Sequence, residues 1–381
     1  MARPLLAAPR LSAALGVTRV ARVTGLDRAG VEVACAVRPG GHILQVSNGK
    51  GERWEAAEAG ALLEAAELWA SERPAPDRLV HASARDLFAA DRRAWALPEL
   101  VCAPRLGGEE VRRAWVAAEV LCGPARGGEV LVPAAAVFCP PSTGPWLGPA
   151  AHRWTSNGLG AGPDAEAALL HALLEACERD GLARALPEGF TPRALRSRIL
   201  SPRLLSRSAP QSWALVERLA AAGLRAVLLD LHPTVEGAAW LPIPLAGALL
   251  LDQEHGPIPL TAGYACRLTL DGALHAALLE AAQSRLTDVH GAREDITAAE
   301  PEAARGLARA ALAAAPREDG DRIGYRKGPR DLAGLLRAIG GGPAGLGVAA
   351  LRLEPAGLSG GGGAGGGPGL LVSGQIGRAH V

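Results

Sequence analysis

The seven-residue pattern Ala-Leu-Leu-Glu-Ala-(Ala/Cys)-(Glu/Gln) stands three times in this chain, at Ala61–Glu67, Ala172–Glu178 and Ala277–Gln283. Each copy is rich in strong helix formers. On a helix, its two polar residues lie three apart and share one face, about one turn from each other. The fold must therefore place three Ala/Leu helices that each carry a polar pair, and two of those pairs are carboxylates that repel. Leu68 stands four residues beyond Glu64 and offers no compensation. Arg179, four beyond Glu175, is read as the neighbour of Glu178 rather than as a partner along the face.

One such helix is most simply a solvated face, and the chain's Ala, Leu and Gly bias makes chance matches easy. Two of the copies, however, bring a glycine-rich segment with them. Ser47-Asn-Gly-Lys-Gly51 starts 17 residues before Glu64, and Ser156-Asn-Gly-Leu-Gly160 starts 19 before Glu175. Loops of this kind let backbone N–H groups approach phosphate oxygens. Glu-x-x-Glu helices converging on them could hold Mg²⁺, which takes a few carboxylates together with substrate phosphates. Lys50, Arg179 and Arg285 are candidates to neutralise phosphate charge. Standard nucleotide motifs are absent: no G-x-x-x-x-G-K-[ST] occurs, and Pro163 interrupts Gly158-x-Gly160-x-Gly162 where a dinucleotide fingerprint needs glycine.

Composition narrows the partners. A net charge of +1 without a basic block argues against nucleic acid. No run of 18 apolar residues and no signal peptide appear, so neither a membrane nor export is expected, and the cytoplasm is the simplest compartment. Six scattered cysteines without a C-x-x-C pair speak against structural zinc or a disulfide framework.

Periodicity predicts strands at Thr18–Val20, Val31–Val37 and Ile43–Val46, then the first glycine-rich loop and a helix over about Glu55–Glu72. A strand is expected over Val130–Val137, and a helix over Ala165–Ala185 capped by Asp164. Strands follow at Leu224–Asp230 (placed centrally), Ile243–Leu251 and Gly263–Leu268. A helix over about Asp271–Thr287, with Asp271 as its cap, comes next. Residues 301–339 read as two amphipathic helices around the polar loop Arg317–Lys327. Gly360–Gly367 cannot pack a core, and Gln375–Val381 reads like a translated sequencing adapter, so the natural chain is expected to continue past about residue 374. His171 and His275 are read as structural or surface histidines, His290 as a minor catalytic candidate, and Cys177 as a small packing residue.

With these segments in view, the chain resembles the YcaO family over about residues 9–300. Leu15-Gly-Val-Thr-Arg-Val-Ala-Arg-Val-Thr-Gly-Leu-Asp27 looks like the family's opening. Ser47–Gly51 with Glu64-x-x-Glu67, and Ser156–Gly160 with Glu175-x-x-Glu178-Arg179-Asp180, look like its first two nucleotide segments. Glu280-Ala-Ala-Gln283-Ser-Arg285-Leu286 with Gly291-Ala-Arg293-Glu-Asp295 is similar to the third. The resemblance implies an α/β (α+β) fold of YcaO type, with an internal pseudo-repeat of glycine-rich loop plus Glu-x-x-Glu helix. It implies a catalytic domain over residues 1–358 followed by a Gly-rich tail, 359–381. ATP and Mg²⁺ are the implied cofactors. Glu64, Glu67, Glu175 and Glu178 are the implied metal ligands; Lys50, Ser156, Gly160, Arg179, Glu280, Gln283 and Arg285 complete the cofactor site.

The implied chemistry is activation of a peptide backbone amide by phosphorylation of its oxygen. Sulfide as nucleophile gives a thioamide, and a neighbouring side chain gives an azoline ring. The opening looks most like members that work beside a TfuA-type protein, so a peptide or protein substrate, a TfuA-like or peptide-presenting partner and a homodimer are the implied associations. The chain departs from the family at Gly162-Pro-Asp-Ala-Glu-Ala167, where Ala167 takes the usual Glu position and Glu166 comes one residue early. It also shows no Pro-rich tail. These departures leave a non-catalytic scaffold that binds peptide or partner as the alternative.

Overall fold

The computed structural model describes residues 8–95, 103–123, 126–152, 154–187, 189, 191–195, 198–233, 240–254, 256–295, 301–314, 328–341, 347–353 and 370–373. The loop expected over Arg317–Lys327, the glycine run and the adapter-like end all lie outside these residues.

Each heptapeptide forms one long helix, over Trp54–Ser71, Ala165–Ala185 and Leu270–His290. We call these the first, second and third helices. A strand precedes each: β3 (Val46–Gly51), β7 (Leu159–Ala161) and β10 (Leu260–Cys266). Antiparallel β1 (Arg19–Arg22), β2 (Glu32–Val37) and β3 make one three-stranded sheet. A second has the order β10-β9-β8, with β9 (Leu245–Asp252) central and β8 (Leu224–Asp230) at the edge, correcting the central position expected for Leu224–Asp230. The third sheet contains β4 (Leu79–Ala82), β5 (Arg113–Cys122), β6 (Glu129–Pro133), β7, β11 (Val348–Arg352) and β12 (Leu370–Ser373). Because β12 pairs with both β11 and β7, the segment read as a Gly-rich tail contributes a strand to this sheet.

The glycine-rich segment Ser47–Gly51 is a strand, not a loop, and the reason is steric. A Cβ on Gly49 would lie 2.0 Å from the Ala57 carbonyl oxygen and 2.2 Å from the Ala61 nitrogen. The strand can touch the first helix backbone to backbone only through a bare Cα. A Cβ on Gly160 would lie 2.3 Å from the Ala168 carbonyl oxygen and 2.7 Å from the Ala172 Cβ of the second helix, and one on Gly263 would lie 2.3 Å from the Ala277 carbonyl oxygen and 2.4 Å from the Ala281 nitrogen of the third. The first alanine of every heptapeptide (Ala61, Ala172, Ala277) thus marks a strand contact. Each helix also reaches the strand of the next unit: the first meets β7, the second β10 and the third β3. The three units close a ring, and each helix packs into a hydrophobic core shared with strands of a neighbouring unit.

Local signals were mostly sufficient for the helices. Asp164 caps the second as expected, its carboxylate accepting from Ala167 N–H at 2.8 Å. The third is capped by Thr269 instead of Asp271, whose carboxylate accepts from the Gln211 and Ser212 amides and so ties in the helix Pro210–Ala221. Pro133 ends β6, and Ala134–Val137 turns into a short helix where strand was expected. The five described cysteines are free thiols, with Cys177 fully buried. Among the described residues, no helix is long and apolar enough to cross a membrane.

Candidate active site

The ring of helices encloses a cavity of about 870 Å³, and both polar residues of every heptapeptide line it: Glu64 and Glu67, Glu175 and Glu178, Glu280 and Gln283. The helical three-residue spacing delivers the pairs, and the glycine contacts hold the helices close enough to face one another. Backbone amides then fix individual carboxylates. Asn48 N–H donates to Glu64 at 2.7 Å, Ala161 N–H of β7 to Glu67 at 2.7 Å, and Cys266 N–H of β10 to Glu178 at 3.3 Å. The second glutamate of one unit is therefore seated by the strand of the next.

Charge is unbalanced here. Glu64, Glu67, Glu175, Glu178, Glu280, Asp288 and Asp295 line the same cavity as Lys50, Arg179, Arg267 and Arg293. Burial, followed by the Glu280 charge, pushes Glu178 up to about 7. Burial also lifts Glu175 to about 6, although Arg179 and the Gly158 amide pull the other way. Glu67 is raised well above the usual carboxylate range by burial and by Glu175, and Glu64 is raised by burial. Arg179 spans both second-helix glutamates, 3.8 Å from Glu175 and 3.5 Å from Glu178. That corrects the reading of Arg179 as a mere neighbour of Glu178 without a partner along the face. Its side chain is 45% exposed, so water screens it and burial wins at Glu178.

The other expected residues divide. Lys50 reaches from β3 to the third helix and pairs with Glu280 at 3.1 Å, and Ser156 lies exposed on the cavity wall. Gly160 does not line the cavity; its place is the contact with Ala168 and Ala172. Arg285 is a correction. It turns away from the cavity and is buried in a knot with Asp27 (3.0 Å), the Ile258 carbonyl (2.8 Å) and Asp252 (2.9 Å), which Arg28 also holds. One position, Arg285 against Ser284, decides which side of the third helix a residue faces, and 100° per residue is enough to change it. Glu166 is exposed and takes no part in the wall.

Sequence reasoning left out several wall residues. Ser284, Thr287 and Asp288 continue the stripe begun by Glu280 and Gln283 at i+3/i+4 spacing, so periodicity could have found them. Arg267 follows β10 and carried no signal. Arg293, quoted in the third segment but not placed in the site, lies 3.7 Å from Glu64. His171 belongs to the wall, 4.0 Å from Glu67, and burial together with Arg267 and Lys50 lowers it to about 4, so it is neutral near pH 7.

Among the described residues, no three metal-ligating side chains already form a metal cage. Carboxylates that outnumber their cations and are spread around a wide cavity suit Mg²⁺ held jointly with phosphates, because Mg²⁺ uses one or two protein carboxylates and keeps other oxygen ligands. The donor set is all oxygen and anionic, and the raised carboxylates mark where positive charge is missing.

The sequence profile described as YcaO cyclodehydratase, ATP- and Mg²⁺-binding, matches residues 48–346. This chain belongs to the YcaO family. Its relatives include an uncharacterized protein of Methanothermobacter thermautotrophicus, 34% identical over 299 residues, covering 75% of this chain and 70% of that protein. Another, from Rhizobium leguminosarum bv. trifolii, lies in the tfuA 3′ region and is 30% identical over 290 residues; the match spans 74% of this chain and 64% of that one. In fold, the chain is similar to YcaO from Methanopyrus kandleri bound with AMPPCP and Mg²⁺, with a TM-score of 0.69 at 20% identity over 97% of this chain and 88% of that one. ATP and Mg²⁺ are the YcaO cofactors, and the family's work is ATP-dependent peptide modification.

Proposed function

We propose that the chain activates a backbone amide of a ribosomally made peptide or protein, with ATP phosphorylating the amide oxygen after a nucleophile has added to the carbonyl carbon. The observation that carries this reading is the convergence of all three heptapeptide pairs on one cavity short of positive charge. Glu64, Glu67, Glu175 and Glu178 would hold Mg²⁺, which supplies positive charge against the phosphate oxygens. Lys50 and Arg179 would contact phosphate directly, with Ser156, Glu280 and Gln283 completing the wall. Neutral His171 can accept a hydrogen bond without adding charge.

Of the two products open to the family, we favour a thioamide made with a TfuA-like partner. Support comes from the relative in the tfuA 3′ region and from the opening segment ending at Asp27. An azoline formed by a substrate side chain is the other product. A scaffold without ATP turnover is the second reading, favoured by Ala167 standing where the family's pattern has Glu.

Phosphate release from Mg²⁺-ATP, measured with a peptide and a TfuA-like protein, separates these readings. Release that depends on the peptide supports the enzyme. Tight Mg²⁺-ATP binding without release, in folded protein, would leave the scaffold. Added sulfide that raises the peptide mass by the oxygen-to-sulfur exchange identifies the thioamide; loss of water identifies the azoline.

A further inference from the structure

The cations of the cavity wall divide by what they already hold. Lys50 pairs with Glu280 at 3.1 Å, Arg179 lies 3.5 Å from Glu178 and 3.8 Å from Glu175, and Arg293 holds Asp295 at 2.6 Å. Arg267 differs from all three. Among the described residues it forms no ion pair, and its guanidinium is anchored by one bond, which Nη1 donates to the Cys266 carbonyl at 2.7 Å. Most of its five N–H donors stay uncommitted.

Its place follows from the fold. Arg267 comes directly after Cys266, whose amide seats Glu178, and its own amide donates to the Pro244 carbonyl at 3.2 Å. Two residues later stands Thr269, the exposed cap of the third helix. The side chain is therefore a half-buried part of the wall where the second and third units meet. Its charge is felt by Glu178 and by His171, both on the second helix. With seven carboxylates on the wall, an unanchored arginine would close on one of them. Anchorage to a backbone carbonyl keeps this positive charge available.

We propose that Arg267 is a catalytic residue that holds the oxygen of the target amide as negative charge develops on it, an inference that rests on the amide-activation reading above. As hydrosulfide adds to the carbonyl carbon, a C–S bond forms and the C=O π pair moves onto oxygen. That oxygen then bonds to the terminal phosphorus of ATP, and ADP leaves. Departure of phosphate with the C–O bonding pair, and of the sulfur proton to water, gives the thioamide. A side-chain nucleophile puts the same charge on the same oxygen. The oxyanion arises among carboxylates that oppose it, and Lys50 and Arg179 are tied to those carboxylates. Arg267 alone of the three offers an unspent fork of N–H groups, suited to an anionic oxygen. Donors fixed in advance where charge develops are usually the largest single contribution to such a step.

The test separates chemistry from nucleotide binding, using the full chain with the peptide and TfuA-like protein that drive phosphate release by wild type. Arg267→Met should lower kcat for release roughly 100- to 1000-fold, as when one oxyanion donor is removed. Mg²⁺-ATP affinity in calorimetry should stay within about threefold of wild type, which also shows that the variant is folded. Arg267→Lys keeps the charge without the fork and should recover about tenfold of the lost rate. Release within about threefold of wild type in folded Arg267→Met would overturn the assignment. So would an equal loss of Mg²⁺-ATP affinity, which would make Arg267 a phosphate contact. Should the methionine variant not fold, the lysine variant decides. A fall in kcat of about tenfold or more at unchanged Mg²⁺-ATP affinity supports the assignment, and wild-type kcat or weakened binding overturns it. Absence of peptide-dependent release by wild type would overturn it together with the amide-activation reading.

Discussion

Two clusters of buried charge lie on opposite sides of the third helix and behave in opposite ways. On one side, Arg285 and Arg28 close on Asp27 and Asp252. Although burial pushes Asp252 up, the Glu254 amide and the two arginines hold it below the usual carboxylate range. On the other side, Glu175 and Glu178 face a cavity with too few cations and are pushed up to about 6 and about 7. The first cluster is complete within the protein, whereas the second is completed from outside. A chain that buries charge for stability pairs it; one that buries charge for binding leaves it short.

This contrast can be broken most directly at Arg285. Replacing it with leucine leaves buried Asp27 without its cation and Asp252 held by Arg28 alone, and should cost about 3–5 kcal/mol in denaturant unfolding. Mg²⁺-ATP affinity of the folded fraction should be unchanged. A loss below about 1 kcal/mol, or a selective loss of nucleotide binding, would mean that the knot has been misjudged. Glu175→Ala should do the reverse. Mg²⁺-ATP affinity should fall roughly 100-fold, equivalent to about 2.7 kcal/mol, while the melting temperature of the apo protein stays level or rises because a repelling charge has gone. Unchanged affinity in calorimetry would remove Glu175 from the site.

A pH titration of apo stability sharpens the comparison. For Glu175 and Glu178 the folded-state values lie above the unfolded value of 4.5. Between about 4.5 and 7 the unfolded chain therefore binds fewer protons than the folded one, and stability falls as pH rises. With coupling among the carboxylates counted once, the loss should be on the order of 1–2 kcal/mol. Asp252 has the opposite sign: its contribution is present above its unfolded value and is lost as pH falls through the lower folded one. Apo protein that gains stability between pH 5 and 7.5 would contradict the raised carboxylates. The smallest effect belongs to Glu166→Ala, an exposed position off the wall. It should change stability by less than about 0.5 kcal/mol and leave Mg²⁺-ATP affinity as it was. A tenfold loss there would bring Glu166 into the metal site.

The heptapeptides and their helices were legible in the sequence because helical period and alanine content are local properties. The same spacing put Glu64 with Glu67, and Glu175 with Glu178, on single helix faces; their sharing of one wall was what the family resemblance implied. What local pattern could not supply was the third dimension. Ser47–Gly51 reads as a loop until a helix lies against Gly49, and only then is glycine a requirement of packing. Arg285 reads as a phosphate ligand until Asp27 and Asp252, far away in sequence, take it. Arg267 had no sequence signal because the end of β10 becomes part of the cavity only when the second and third units meet.

The seating of Glu67 by β7 and of Glu178 by β10 also imposes an order on synthesis. A nascent chain that has emerged only through the second helix already displays four glutamates of the site. The Cys266 amide, Glu280 and Gln283 have not yet been made. The last wall residue, Asp295, and then β12, which pairs with β7, emerge only towards residue 373, so no shorter intermediate presents the finished cavity. Nucleotide capture then reports completed synthesis of the three units, and a ribosome-stalled series read out by ATP binding should switch on in one step at that length.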